Sequence, residues 1–123
     1  MAKILVIDDD PLVRKTVVKI LISAGHQVLE AAHGGTGMQI LNSEQPELVI
    51  TDIMMPQQEG IETIAQIREI SGLPIIAISG SQRDDEFNPL LDAELMGADV
   101  AIPKPFTAET LLAAVAELLS ADG

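Results

Sequence analysis

Short apolar runs rich in β-branched residues recur at Ile4 to Ile7, Gln27 to Ala31, Leu48 to Thr51, Ile75 to Ile78 and Val100 to Ile102. Runs without polar alternation predict strands covered on both faces. The segments between them are long enough for a helix each, so a parallel sheet follows.

The first connecting helix opens with Asp10 as N-cap and Pro11 at the first helical position. Val13, Val17, Ile20, Leu21 and Ala24 then form one stripe that Gly25 can close. A second helix is expected over Thr36 to Ser43, with Met38 and Leu41 inward and Pro46 barring continuation. Ile61, Ile64, Ala65 and Ile67 or Arg68 mark a third, ended by Gly72 and Pro74. A fourth is expected from about Glu86 to Met96, stopped by Gly97. Thr107 caps the last, whose Leu111, Leu112, Val115, Leu118 and Leu119 follow the spacing of a buried face. The pattern is βαβαβαβαβα, an α/β fold built as one unit over residues 1–123, and such a sheet places ligands at the carboxyl ends of its strands where strand order reverses.

Composition narrows the chemistry. At 123 residues the chain has room for one domain, with no output domain expected. Hydrophobic residues make up 47% but aromatic residues only 2%, so the core is aliphatic. The formal charge of −12, from 19 acidic against 7 basic residues, argues against nucleic acid as a direct partner. The absence of cysteine removes disulfides, thiolate metal sites and a Cys nucleophile, leaving cytosol as the default location. Four apolar residues after Lys3 fall far short of a signal peptide or a membrane span.

The residues just past the strands are Asp8 and Asp9, Asp52, Ser79 and Lys104. Three carboxylates brought together repel one another, and removal from water raises the cost of ionising all three. A divalent cation resolves the conflict, and oxygen-only ligands suit magnesium. A carboxylate aimed at an open coordination position can attack a phosphoryl group, and Asp52 is the candidate nucleophile. Lys104 offers a point charge, Ser79 a hydroxyl, and Gly80 an approachable backbone N–H for the transferred group.

These residues resemble the receiver domain of bacterial two-component response regulators, over essentially the whole chain. The resemblance is carried by Ile4-Leu-Val-Ile-Asp-Asp9, by Thr51-Asp-Ile-Met-Met-Pro56 with Glu59-Gly60 behind it, and by Lys104-Pro-Phe106. It implies a doubly wound, five-stranded sheet of order 2-1-3-4-5, with helices on both faces. It further implies Asp52 as phosphoacceptor, and Asp9, Asp52 and the Met54 backbone carbonyl as direct ligands of Mg2+, with Asp8 acting through water. Ser79 and Lys104 would contact the phosphoryl group, and the Lys104-Pro105 bond would be cis. The expected donor is a histidine kinase or a histidine phosphotransfer protein, and the output is protein contact. Such a protein catalyses only its own phosphoryl acceptance and hydrolysis. Two departures stand out: Ala101 occupies the position where receivers commonly carry Tyr or Phe, and the segment from Ser79 to Gly97 is a few residues longer than in compact members.

Other readings stand beside this one. Asp8-Asp-Asp10 also fits the Asp-x-Asp opening of the haloacid dehalogenase superfamily, which would make Asp8 the nucleophile of a phosphatase in a fold that needs more chain. A receiver-shaped module that signals without phosphorylation is a third possibility, motivated by Ala101. His26 and His33 read as surface or loop residues, and Gly34-Gly-Thr-Gly37 as a helix entrance, because a dinucleotide loop needs glycine where Ile40 stands. Met38, Met55 and Met96 read as packing. Arg14, Lys15 and Lys19 form either a solvated face or a docking surface for an acidic phosphodonor.

Overall fold

The computed structural model describes residues 2–52, 59–79, 97–103 and 106–121. In chain order these form β1 (Lys3–Ile7), α1 (Pro11–Ser23), β2 (Gln27–Ala31), α2 (Gly34–Glu44), β3 (Leu48–Asp52), α3 (Glu59–Ile70), β4 (Ile75–Ser79), β5 (Val100–Pro103) and α4 (Ala108–Ala121). The helix expected from Glu86 to Met96 lies outside the described residues.

All five strands pair in parallel, in the order β2-β1-β3-β4-β5. The continuous apolar runs have the cause inferred for them. Alternate side chains of each central strand enter two separate cores. Leu5, Ile7, Val49, Ile75 and Ala77 meet Leu41 of α2 and Ile64 and Ile67 of α3. Ile4, Val6, Leu48, Ile50, Ile76 and Ile78 meet Val17 and Leu21 of α1 and Leu111 and Val115 of α4. Each fully buried aliphatic side chain contributes about 1.5–3 kcal/mol of transfer free energy, which makes the central strands insensitive to their weak local signals. The edges are different. β2 keeps Gln27 and Glu30 exposed, and β5 ends on exposed Pro103, which has no N–H to offer a further strand.

The helix ends follow their chemistry. The Asp10 carboxylate accepts from the backbone N–H groups of Leu12 (2.9 Å) and Val13 (3.4 Å), and Pro11 opens α1. Gly25 turns the chain at φ +93° after it. Ala24, expected on the buried stripe, is instead the exposed C-cap residue. α2 begins two residues before its expected start, with Gly34 and Gly37 themselves buried and Gly37 packed against Ile7 and Ala31 of the sheet. The Thr107 hydroxyl accepts from the Thr110 N–H at 3.0 Å and caps α4. In α3, Ile67 takes the core position while Arg68 lies at the margin with its guanidinium bonded to backbone.

Candidate functional site

Strand order reverses between β1 and β3, where the chain leaves toward β2 on one side and β4 on the other. Their register sets Ile7 opposite Thr51, so the next residue of each strand, Asp8 and Asp52, emerges at the same level. Carboxylate oxygens of Asp8, Asp9 and Asp52 lie within 4.8 Å of one another. Asp8 is 2% exposed and Asp52 5%, whereas Asp9 faces solvent.

Local bonds explain how the loop presents these groups. The Asp8 N–H donates to the Ala31 carbonyl at 3.0 Å, extending the β1–β2 ladder by one rung. The Asp10 N–H donates to Asp8 Oδ1 at 2.9 Å, a turn that aspartate is built to make. Arg14 Nη1 donates to the Asp8 carbonyl at 2.6 Å, and Arg14 Nε bonds Glu30 Oε1 at 3.2 Å. On β3, the Thr51 hydroxyl donates to the Asp52 carbonyl at 3.3 Å. Asp10 is spent on the helix cap and stays out of the cluster, as its place before Pro11 led one to expect.

Of the sequence-derived site residues, the structure brings together Asp8, Asp9 and Asp52. Met54, Gly80 and Lys104, with the Lys104-Pro105 bond, lie outside the described residues. Ser79 ends β4, beside the Pro103 end of β5, and its side chain also lies outside what is described. His26 is elsewhere, its Nδ1 accepting from the Ala2 N–H at 3.2 Å, and His33 is the backbone N-cap of α2. Of the three basic residues on α1, Arg14 is bonded to the Asp8 carbonyl and to Glu30, whereas Lys15 and Lys19 are exposed.

An all-carboxylate donor set, two of its members buried, fits a hard divalent cation: it offers oxygen alone, and the ion offsets the repulsion that close like charges create. A cleft between α2 and α3, lined by Met38, Leu41, Pro46, Ile70 and Leu73 with Glu69 as its single carboxylate, shares none of these residues. Among the described residues no helix is long and apolar enough to cross a membrane.

Known proteins show the same arrangement of chain. The chain is 36% identical over 119 residues to the transcriptional regulatory protein CpxR homolog of Haemophilus influenzae, covering 97% of this chain and 51% of that protein. It is 37% identical to the response regulator MprA of Mycolicibacterium vanbaalenii, with 95% and 50% covered. It thus spans about half the length of the curated relatives it matches. Among solved structures, a response regulator receiver domain protein from Clostridium thermocellum superposes with a TM-score of 0.88 at 29% identity, covering 99% of this chain and 97% of the other. A CheY-like receiver domain protein from Methanospirillum hungatei gives 0.86 at 29% identity, with 98% and 94% covered. The response regulator receiver domain family itself matches residues 4–116, a span that takes in all of the sheet but Lys3 and the whole acidic cluster, and the chain belongs to that family.

Proposed function

We propose that this receiver domain is a phosphoacceptor switch in which Asp52 takes a phosphoryl group from a histidine kinase or a histidine phosphotransfer protein. The family is a signalling switch rather than a turnover enzyme. The observation that carries the finer reading is the buried Asp52 carboxylate at the reversal point, within 4.8 Å of two further carboxylates.

Asp9, Asp52 and the Met54 backbone carbonyl would hold Mg2+ directly, with Asp8 acting through water. Bound there, the ion would neutralise the cluster and draw charge from the phosphoryl oxygens. Asp52 forms the new oxygen–phosphorus bond as the donor's nitrogen–phosphorus bond breaks, and the imidazole leaves. Lys104, the Ser79 hydroxyl and the Gly80 N–H would receive the charge of the transferred group. One Asp8 carboxylate oxygen is already engaged by the Asp10 N–H, which favours Asp52 over Asp8 as the nucleophile. Output passes through protein contacts of this domain, and its charge of −12 disfavours direct contact with nucleic acid.

Incubation with magnesium and a small acyl phosphate is expected to label the wild type on Asp52 and to leave Asp52→Asn unlabelled. Equal labelling of the two refutes the assignment, and peptide mapping to Asp8 would point to phosphatase-type chemistry instead.

A further inference from the structure

Among the described residues, the Arg14 side chain holds the loop that carries Asp8 and Asp9 from its backbone side. Arg14 Nη1 donates to the Asp8 carbonyl at 2.6 Å while Nε bonds Glu30 on β2, the residue paired with Val6 of β1. The guanidinium therefore spans from the edge strand to the peptide that joins the two aspartates. With its side chain 21% exposed and two acceptors engaged, Arg14 is poorly placed to act as a mobile docking charge.

We propose that Arg14, oriented by Glu30, is a positioning residue for the acidic cluster: it fixes the Asp8–Asp9 peptide so that both carboxylates face Asp52. This rests on the cation-binding reading given above. The oxygen it grips belongs to the peptide plane between Asp8 and Asp9, so rotation of that plane changes the direction in which each side chain leaves the backbone. A charge-assisted hydrogen bond holds the plane more firmly than a neutral one. Helix formation does not depend on it. α1 has its own cap in Asp10 and its own buried anchors in Val17 and Leu21. What Arg14 adds is aim.

The test is a magnesium chloride titration followed by the amide chemical shifts of Asp8, Asp9 and Asp10, with thermal unfolding in EDTA run in parallel. Arg14→Ala is expected to raise the Mg2+ dissociation constant about tenfold, the lower end of what outer-shell partners contribute, with little change in the metal-free unfolding midpoint. Arg14→Lys should recover part of the affinity, because an ammonium lacks the planar fork that reaches both acceptors. Glu30→Gln should weaken binding less than Arg14→Ala and add nothing on top of it. Unchanged Mg2+ affinity in folded Arg14→Ala overturns the proposal, as does an affinity loss explained by an equal loss of metal-free stability. Should Arg14→Ala fail to fold, the other two variants decide: graded weakening supports the role, and wild-type affinity in both overturns it. Asp52→Asn separates the two levels. Wild-type Mg2+ affinity in that variant removes the cation reading itself, and this inference with it.

Discussion

Gly37 shows how little space separates α2 from β1. A Cβ built there would lie 2.5 Å from Ile7 Cδ1 and 2.9 Å from Ile7 Cγ1, inside a wall that is fully buried. Gly37→Ala is therefore expected to destabilise by about 1–3 kcal/mol through overpacking, even though alanine is the better helix former. Chemical denaturation checks this, and Ile7→Val in the same chain should recover part of the loss. The same residue explains why the start of α2 was hard to read. Glycine has poor helix propensity, so Gly34 and Gly37 read as an approach to the helix, whereas both are buried within it and Gly37 is in close contact with the sheet. Asp10 was legible because a cap before Pro11 is a local device. Arg14 was not, since its partner Glu30 arrives from the neighbouring strand.

At the level of elements, the strands were readable to within one residue at either end, the central ones because double-sided burial leaves an unbroken apolar run. Interactions between elements were not. Arg68 Nε donates to the Gly97 carbonyl at 2.8 Å, Nη1 to the Leu73 carbonyl, and Nη2 pairs with Asp99 Oδ2 at 2.5 Å. Asp99 Oδ2 in turn accepts from the Ile75 N–H at 2.8 Å. The end of α3, the start of β4 and the approach to β5 thus close on one guanidinium. Removing it leaves two backbone carbonyls and a carboxylate without this donor, so Arg68→Ala is expected to cost about 2–3 kcal/mol, read from denaturant midpoints. Arg68→Lys should restore only a minor part, as a single ammonium cannot match three acceptors in a plane. Gly97 is bound into the same junction. It sits at φ +123°, and a Cβ there would meet Arg68 Cγ at 2.6 Å, so both backbone and neighbour demand glycine.

For the whole molecule, the governing quantity is a net charge of −12 with three carboxylates gathered at one point. Asp9 is the exposed member, and the bonds that shape its loop come from Asp8, Asp10 and Arg14. Asp9→Asn is therefore expected to raise the thermal unfolding midpoint in EDTA by a few degrees while reducing the gain that magnesium gives. In the wild type that gain should approach about 2.7 kcal/mol at a hundredfold excess over the dissociation constant. A midpoint lowered in EDTA would contradict the repulsion on which the cation argument rests. The fold class was legible in the apolar pattern, whereas the gathering of Asp8, Asp9 and Asp52 needed the strand order that the receiver resemblance implied.

The pairing of β1 with β3 has a kinetic consequence. Asp8 follows β1 and Asp52 ends β3, strands that are neighbours in the sheet but separated in the chain by a complete helix, strand and helix. No local fragment of the polypeptide carries both, so the proposed cation site is assembled only when that long loop closes. During refolding, a signal from a luminescent or paramagnetic ion at this cluster should appear together with the β1–β3 ladder and lag behind helix formation, which turns the pocket into a clock for the slowest contact in the sheet.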